Sequence, residues 1–400
     1  MQSADPGHLF QTTQQIRHAA ERERKLRAAE KVGDPIIVSS KVLDLAVRGQ
    51  EGWTGESGWQ ARRVDLRTGK TIKLYKGHQG PVTTVALYDV KGQDGSRWLA
   101  LFTGSWDKTI RVWHADSGEL LHTLEGHTDF VKSLTVLPTS PPRLLSTSSD
   151  RTCRLWDLSP LSTPEKTAPR SVQTIKEHTR PVECATYRVE LDGSGRPSGR
   201  LSVWTGDSLG AIKRWETSSG KLGWTEDVKG HETSVAQLVV GDEGLWSVSM
   251  DKTAIYHPFD RPSSSSLPKP TILHPSYVKS VLPLPEDFPI PRTYTLTGSE
   301  DEDIRIWDMD EAKKPRLVGT IRGHCGEVTA MRCWLREDEE DGRTSWGVIT
   351  GGLDQTLRRW TVQDILNPPV LNYESVEEKA DTGMTTEEER ELAELMSDED

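Results

Sequence analysis

The chain has 400 residues, a formal net charge of −11, 14 tryptophans and 4 cysteines. The acidic balance argues against non-specific binding to nucleic-acid phosphates, although twelve acidic side chains lie beyond residue 370 and leave the rest almost neutral, so a local basic patch stays open. The sequence shows no membrane-length apolar run, no signal-peptide core, and no paired or zinc-type cysteine spacing, so we expect a nuclear or cytoplasmic protein with no membrane contact and no metal site.

Residues 1–34 are predicted to form an N-terminal extension. Within it, residues 11–32 are highly charged, and Glu21 with Lys25 and Glu23 with Arg27 have the i,i+4 spacing of helical ion pairs. This pattern predicts a charged helix. It fits either a solvated helix packed loosely on the rest of the protein or an arm that binds a partner.

A diverged string recurs along residues 35–370 with a period of about 40–50 residues. Each unit starts with Gly-His or a near variant, at His78, His127, His178, His231, His274 and His324. A Ser/Thr-rich run and a turn aspartate follow, at Asp107, Asp150, Asp251, Asp301 and Asp354. Six residues after each aspartate stands Trp113, Trp156, His257, Trp307 or Trp360. A degenerate unit at residues 53–70 has Val64 at the tryptophan position.

Each unit contains short β-type runs separated by Gly, Asp and Ser, such as Val82–Val90, Arg97–Thr103, Thr109–His114 and Leu120–Leu124. Seven units of four strands predict an all-β fold, a seven-bladed β-propeller of four-stranded antiparallel blades, because such small sheets bury their faces only by stacking. With its Gly-His marks and the pairs Trp156-Asp157 and Trp307-Asp308, the chain resembles the WD-repeat β-propeller family over roughly residues 35–370.

The resemblance implies a structural network in each complete blade. The turn aspartate bonds the histidine, the histidine bonds a strand Ser or Thr, and that hydroxyl bonds the tryptophan indole. The predicted members are His78, Thr103, Asp107, Trp113, then His127, Ser146, Asp150, Trp156, then His274, Thr297, Asp301, Trp307, and finally His324, Thr350, Asp354, Trp360. We do not interpret these sets as hydrolase sites, because the same set repeats in blade after blade.

Departures from the set predict weaker blades. In the fourth unit Asp207 is displaced and Leu209 takes the aspartate position, in the fifth His257 replaces tryptophan, and the first unit lacks the set. We therefore expect these three blades to be the less stable part of the ring. Loss of Asp107 or Asp354 should cost about 1–3 kcal/mol, because a buried partner would be orphaned.

The last unit lacks an obvious fourth strand after Val362. Either residues 369–373 or residues 35–39 could supply it, and the β-prone run Ile36-Ile37-Val38 favours the N-terminal segment. Pairing of the two chain ends is also what the resemblance implies.

Polar insertions distinguish two faces of the ring. Four lie between the first and second strands of a unit, at 91–97, 189–200, 282–292 and 336–343, and two lie between the third and fourth, at 159–170 and 260–270. All six leave from one side, so that face is elaborated and the face of Gly-His loops and Asp turns is uniform. The elaborated face is either a binding face or a place that tolerates loop length.

On the uniform face, residues beside the turn aspartates and after the histidines should point outward near the central channel. The predicted partner-binding residues are Trp106, Phe130, Arg180, Met250, Tyr277 and Leu353. Trp, Tyr and Arg are the residue types that dominate binding energy at interfaces. Ordinary packing between adjacent blades is the alternative interpretation.

Residues 371–400 are predicted to form an acidic tail. A capping-box spacing at Thr385 and Thr386 precedes Leu392, Leu395 and Met396, which share one face of a possible short helix. Such a helix could dock into a groove on a partner, and a disordered, solubilising end is the alternative.

Together these features predict a non-enzymatic interaction scaffold without catalytic residues or cofactors, a monomer that holds a protein or peptide within a hetero-complex. The resemblance implies assemblies of the chromatin, ribosome-assembly or RNA-processing type. One alternative is a nucleic-acid-binding propeller that uses basic loop residues such as Arg196 and Arg200, although nucleic acid is expected mainly within a complex. A second is a ubiquitin-ligase adaptor, but one subclass carries a basic residue two positions after Trp-Asp, where this chain has Ser159 and Asp310.

Overall fold

The computed structural model describes residues 13–371 except 94, 164–166, 219, 260–268, 292, 311–313 and 338–342. The chain divides into two units, residues 1–28 with 371–400 and residues 29–370. Helix α1 (Thr13–Ala29) lies almost wholly in the first unit. On it Arg27 pairs with Glu23 at 2.6 Å, which confirms that predicted ion pair. Among the described residues, no helix combines the length and apolarity that crossing a membrane requires.

The second unit consists of seven four-stranded antiparallel sheets, which confirms the predicted propeller. Strand β1 (Ile36–Ile37) precedes the first complete blade. Blade one contains β2 (Val42–Arg48), β3 (Glu51–Glu56), β4 (Gln60–Asp65) and β5 (Thr71–Lys76). Blade two contains β6 (Val82–Lys91), β7 (Arg97–Ser105), β8 (Ile110–His114) and β9 (Leu120–Leu124). Blade three contains β10 (Val131–Leu137), β11 (Arg143–Ser148), β12 (Cys153–Asp157) and β13 (Arg170–Ile175).

The next three blades follow the same order from the channel outward. Blade four contains β14 (Val182–Leu191), β15 (Pro197–Asp207), β16 (Ile212–Ser218) and β17 (Lys221–Val228). Blade five contains β18 (Val235–Val240), β19 (Gly244–Ser249), β20 (Thr253–Pro258) and β21 (Thr271–Leu273). Blade six contains β22 (Val278–Pro283), β23 (Tyr294–Ser299), β24 (Ile304–Asp308) and β25 (Arg316–Ile321).

Blade seven joins the two ends of the propeller. It contains β26 (Val328–Glu337), β27 (Thr344–Gly352), β28 (Thr356–Thr361) and, as its outer strand, β1. Ile36 pairs with Leu357 and Ile37 with Thr356. This pairing confirms closure by the N-terminal segment, and the chain after β28 instead forms helix α2 (Val362–Leu366).

Residues before β1 also bind blade seven. The Arg358 guanidinium donates to the carbonyl oxygens of Ala29, at 2.9 Å, and Val32. The Arg359 backbone N–H donates to the Gly33 carbonyl at 2.6 Å. The closure therefore rests on more contacts than the two residue pairs of β1.

One valine per blade organises the packing around the channel. These valines begin the innermost strands and are fully buried, and a β-bulge follows each of them: Val42, Val82, Val131, Val182, Val235, Val278 and Val328. A Cβ on Gly351 would lie 2.8 Å from Val42 Cγ1, and one on Gly104 would lie 2.7 Å from Val131 Cγ1. Only glycine permits these approaches, and the contact that closes the ring repeats the contact between blades two and three.

The strand order confirms that the insertions leave from one side. The connections from β6 to β7, β14 to β15, β22 to β23 and β26 to β27 join first to second strands, and those from β12 to β13 and β20 to β21 join third to fourth strands. In an antiparallel sheet these two classes of connection lie at the same end. We call this end the elaborated face, and the end with the histidine loops and aspartate turns the uniform face.

Candidate functional site on the uniform face

Hydrogen-bond networks fix the turns of the uniform face in blades two, three and seven. In blade two, His78 Nδ1 lies 2.7 Å from Asp107, His78 Nε2 lies 2.7 Å from Thr103 Oγ1, and the Trp113 indole donates to the same hydroxyl at 2.9 Å. The same contacts form at 2.8, 2.7 and 2.9 Å in blade three and at 3.0, 2.7 and 2.9 Å in blade seven, among His127, Asp150, Ser146, Trp156, His324, Asp354, Thr350 and Trp360.

The chemistry of each atom sets the direction of these bonds. A carboxylate only accepts, so Nδ1 of His78 carries the proton, Nε2 accepts from the Thr103 hydroxyl, and that oxygen accepts from the indole. Burial alone would raise the pKa of the Asp107 carboxyl, but hydrogen bonds from His78, the Gln79 N–H and Thr109 hold that pKa well below its usual range. Every member is satisfied, as a stable buried polar network requires.

Blade four also forms a complete network, which corrects the prediction that it had lost its aspartate. Asp207 ends β15 and lies 3.0 Å from His178 Nδ1, while Thr205 Oγ1 bonds His178 Nε2 at 2.7 Å and the Trp215 indole at 2.9 Å. Asp207 stands two residues earlier than its counterparts, yet its carboxylate reaches the same nitrogen. The Leu209 side chain is exposed, and this residue contributes only its backbone N–H, which donates to Asp207 at 2.9 Å.

In blade five a histidine, held by a lysine, replaces the missing tryptophan as the donor to the strand hydroxyl. His257 Nε2 lies 2.8 Å from Ser247 Oγ, and Lys269 Nζ lies 3.0 Å from His257 Nδ1. Because an ammonium only donates, Nδ1 must accept and Nε2 must carry the proton, so His257 donates to the hydroxyl as an indole would. His231 completes the set, at 3.0 Å from Asp251 and 2.8 Å from Ser247.

Replacing Lys269 by methionine should release His257 from this fixed state. Burial, and then the Lys269 cation, lower the pKa of His257 to about 3. We expect that pKa to rise in Lys269→Met but to stay below its usual value of about 6.5, because burial is the larger cause and persists, and the free energy of unfolding to fall by about 1 kcal/mol. An NMR titration of the histidine ring measures the first effect, with Lys314→Met, at an exposed lysine, as the control. An unchanged titration of His257 would show that Lys269 does not set its state.

Blade six does not form the predicted network. Both ring nitrogens of His274 lack a hydrogen-bond partner among the described residues, although the ring is only 7% exposed. Asp301 instead binds Arg305 through both oxygens, at 3.1 and 2.8 Å. Only the link from the Trp307 indole to Thr297 remains, at 2.8 Å. Burial, and then the Arg305 cation, lower the pKa of His274 to about 4, so the ring is neutral at pH 7.

Blade one replaces the histidine network with a buried ion pair. Glu56 binds Arg62 at 2.6 Å, with the two side chains 0% and 8% exposed, and also accepts from Ser40 and Thr54. The sequence predicted blades one, four and five to be less stable. Each of them nevertheless contains buried polar side chains that are hydrogen-bonded or ion-paired in place of, or as part of, the network. Blade six is the one with an orphaned histidine.

None of these sets forms a reaction centre. The histidines lie under the turns, between 1% and 7% exposed in five blades, and their polar atoms are committed to structural bonds wherever the network is complete. Within the described ranges, no cluster of three or more His, Cys, Asp or Glu side chains could hold a metal ion. The exposed chemistry of this face lies in the residues that the networks hold in place.

Seven equivalent backbone hydrogen bonds position the rim of the central channel. In each blade the N–H of the residue beside the turn donates to a carbonyl in the loop that enters the innermost strand. The donor and acceptor pairs are Ser57 and Lys41, Trp106 and Pro81, Ser149 and Phe130, Ser208 and Pro181, Met250 and Ser234, Glu300 and Tyr277, and Leu353 and Glu327, at 2.9–3.1 Å. These repeated bonds bring the two segments of each blade to the same edge.

The predicted partner-binding residues lie at this rim. Trp106, Met250 and Tyr277 are 43%, 37% and 40% exposed, Arg180 is exposed, and Phe130 and Leu353 are half-buried. Phe130 stacks on Trp106 with ring centroids 4.9 Å apart and planes 15° apart, so the side chains of blades two and three form one exposed aromatic platform.

Sequence reasoning missed two further apolar residues of this face. Trp59 in blade one and Leu209 in blade four are both 55% exposed in the turns between second and third strands. With them, all seven blades place a large apolar side chain on the face, and we call this set the apolar rim: Trp59, Trp106, Phe130, Leu209, Met250, Tyr277 and Leu353. The sequence alone could have identified Leu209 as exposed, because its position corresponds to the exposed turns of the other units.

Cations stand beside the apolar rim. Lys108, Arg151 and Lys252 occupy equivalent turn positions with left-handed backbone, at φ values of 71°, 68° and 69°. All three are exposed, and none is ion-paired with another described residue, nor is Arg180. The acidic side chains of blade six are engaged instead, since Glu300 accepts from Ser276 and Asp303 lies near Arg305 and Arg322.

Most of the charged side chains at the wall of the channel beneath the rim are paired with one another. It has a volume of about 660 Å³ and is lined by the innermost strands. Ion pairs link neighbouring blades at its wall: Lys132 with Glu183 at 3.0 Å, Lys279 with Glu327 at 3.1 Å, and Arg332 with Asp44 at 3.3 Å. Their charges are already paired, so the open binding capacity of this face lies at the rim.

The remaining predicted sites lie elsewhere. Arg196 and Arg200 are exposed near the tip of the β14–β15 hairpin on the elaborated face. Leu392, Leu395 and Met396 lie outside the described residues, so the predicted docking by the tail stays a prediction.

Comparisons with known proteins agree with the repeat. A family model described as WD domain, G-beta repeat matches residues 69–114 and 118–157. An uncharacterized WD repeat-containing protein of Schizosaccharomyces pombe is 28% identical over 426 aligned positions that cover 100% of both chains. Nuclear distribution protein nudF of Aspergillus niger is 23% identical, with 87% of each chain covered. Autophagy-related protein 16 of Arabidopsis thaliana is 23% identical, and the match covers 65% of this chain but only 45% of that protein.

The matched repeats lie in blades one to three, and the strand order and turn geometry extend the pattern to all seven blades. WD40 propellers typically bind protein partners. The chain therefore carries WD repeats and has the fold of a seven-bladed WD-repeat β-propeller.

Proposed function

We propose that the protein is a non-enzymatic scaffold that binds a protein or peptide on the apolar rim of its uniform face. The observation that carries the proposal is the exposed stack of Trp106 on Phe130 at the mouth of the channel. Exposed aromatic side chains gathered on one surface are typical of interaction sites, and tryptophan is enriched among the residues that contribute most to binding. The polar networks support the proposal, because they hold the turns that present the rim.

The charges favour a partner segment that combines apolar anchors with carboxylates. Lys108 and Arg151 lie on the turns of blades two and three, beside the aromatic platform, and are not ion-paired with described residues. An acidic side chain of the partner could pair with either cation while an apolar side chain covers Trp106. Cations in such rim positions contribute mainly to association rate and specificity, whereas the aromatic platform contributes most of the affinity.

Affinity purification with a double variant tests the role of the rim. We expect Trp106→Ala combined with Phe130→Ala to lose the main co-purifying partner and to weaken its measured binding at least about tenfold, because truncating residues of this type typically costs about 2 kcal/mol or more. The network of blade two lies beneath the platform and does not include either ring, so the fold should persist.

Trp224→Ala is a matched control, since Trp224 is 53% exposed on β17, away from the rim. The control should keep the partner. If the double variant retained the same partner with the same affinity, the rim would not be the binding site. A chain ending at residue 373, purified in parallel, separates partners held by the acidic tail from those held by the rim.

The finer assignments belong to the same proposal. We infer that the protein acts as one copy within a hetero-complex in the nucleus or cytoplasm, of the chromatin, ribosome-assembly or RNA-processing type. The support is the combination of one elaborated and one apolar-rimmed face, which can hold different partners simultaneously. Identification of the co-purifying proteins assigns the complex.

A further inference from the structure

A second surface lies on the elaborated face, at the seam between blades five and six. There residues of both blades line a groove of about 1090 Å³, which we call the seam groove. Its origin is visible in the strand lengths. The outer strand β21 has 3 residues, whereas the outer strands β17 and β25 of the neighbouring blades have 8 and 6. Among the described residues, the outer strand of blade five therefore covers less of its blade's edge than the outer strands of the two neighbouring blades do.

The walls of the seam groove are aromatic. Trp246 and Tyr256 line it from blade five, with ring centroids 5.1 Å apart, and Trp307 and Tyr294 line it from blade six. Trp246 and Trp307 are only 3% and 8% exposed and form the floor of the groove, while the two tyrosines are half-buried. Neighbouring aromatic rings that line a groove accept proline rings of a polyproline II helix, whose extended shape is preformed and loses little entropy on binding.

The charge at one end of the groove selects among such peptides. Asp242 and Glu243 lie in the turn between β18 and β19, line the groove, and are exposed without an ion-pair partner among the described residues. The ammonium of Lys269, which also lines the groove, is engaged by His257 and by the Lys229 carbonyl oxygen at 2.9 Å. Lys314 also lines the groove, from the connection between β24 and β25 of blade six. The inner end of the groove is thus acidic.

We propose that the seam groove binds a proline-rich peptide segment of a partner protein, with a lysine or arginine of that segment paired with Asp242 and Glu243. The prolines pack on Tyr256 and Tyr294, above the two indoles, and the basic residue points toward the turn between β18 and β19. This site is separate from the apolar rim, because it opens on the opposite face of the propeller.

Fluorescence anisotropy with labelled synthetic peptides and the full chain tests the proposal. The probe is a peptide with an arginine followed by prolines at every third position. Two matched peptides carry alanine in place of the prolines or glutamate in place of the arginine. We expect binding of the first peptide only, with indole signals of Trp246 and Trp307 shifting in the NMR spectrum. No binding at millimolar concentrations of the probe, or equal binding of the three peptides, would overturn the proposal.

Charge reversal at the groove locates the peptide. Asp242→Lys combined with Glu243→Lys should weaken binding of the probe at least about tenfold, because attraction between the arginine of the probe and the two carboxylates becomes repulsion from two lysines. Both residues are exposed, so the fold should be kept, and Asp287→Lys, at an exposed acid near but outside the groove, is the matched control. Binding that survives the double reversal would overturn the proposal. Trp106→Ala with Phe130→Ala should leave the probe's affinity unchanged, which separates this test from that of the rim.

Discussion

Replacing Asp354 by alanine should lower the free energy of unfolding by about 3 kcal/mol. Its carboxylate accepts from His324 Nδ1 at 3.0 Å, from the Cys325 N–H at 3.0 Å and from Thr356, whose hydroxyl donates at 2.8 Å. The alanine variant leaves these donors buried without an acceptor, in the blade that closes the ring. Urea unfolding at pH 7 measures the loss. Asp287→Ala, which removes an exposed carboxylate, should change stability by less than about 0.5 kcal/mol.

The pH dependence of this loss gives a second test. Burial opposes ionisation of Asp354, but the bond from His324 and the other donors hold the pKa of its carboxyl well below the usual range. A depressed carboxyl pKa stabilises the folded state above the unfolded pKa of about 3.9, and that contribution is lost as the pH falls below it. The gap between wild type and Asp354→Ala should therefore narrow below about pH 4. A gap that is small at pH 7, or one that does not narrow in acid, would contradict the network.

Replacing His274 by leucine should make the protein more resistant to acid. The pKa of His274 is lowered to about 4 in the folded protein, so between pH 6.5 and 4 the unfolded chain binds a proton that the folded chain does not. The free energy of unfolding therefore decreases as the pH is lowered from 6.5 to 4. At pH 5 the removal of this one group should make the variant more stable than wild type by about 2 kcal/mol relative to their difference at pH 7.

Urea unfolding between pH 7 and pH 4.5 measures the effect. At pH 7 the leucine variant should be nearly as stable as wild type, because the imidazole nitrogens have no hydrogen-bond partners among the described residues and the ring packs 5.3 Å from Trp307. His122→Leu, at a half-buried histidine on β9, serves as the control for a changed histidine count. If His274→Leu followed the acid response of wild type, the ring would already be protonated or bonded in the folded protein.

The failure of the network in blade six has a physical cause that the sequence contains. In blades two, three, five and seven, a threonine two residues after the aspartate donates its hydroxyl, and the N–H after the histidine donates to the other oxygen. Blade six has Asp303 and Pro275 at these positions. Asp303 has no hydroxyl and Pro275 has no N–H to donate to Asp301, whose carboxylate instead binds Arg305. The spacing of His, Asp and Trp alone does not reveal this, because the missing donors lie outside the motif.

The displaced aspartate of blade four shows the opposite error, in which the motif spacing predicts that a network is missing although it forms. Spacing placed Leu209 at the aspartate position, but the carboxylate of Asp207 reaches His178 from the end of β15. The network depends on the positions of the atoms, and an aspartate two residues earlier in the chain can still bring its carboxylate oxygen to the same histidine nitrogen.

The number of blades and the elaborated face followed from the periodicity of the sequence, and closure by β1 followed from the β propensity of that strand. Five of the seven residues of the apolar rim followed from their places beside the turns, but Trp59 needed coordinates, because only exposure distinguishes it from the buried tryptophans.

Closure of the last sheet by β1 has a consequence for how the chain reaches its native state. Residues 36 and 37 are synthesised early, yet their partners Leu357 and Thr356 are among the last of the propeller to be made. During synthesis six blades can stack while the outer strand of the seventh waits unpaired. Contacts between such distant parts of a chain form slowly, and an unpaired strand edge invites association with another copy. The interval between synthesis and closure is therefore the period in which the unpaired edge is most open to association with another copy.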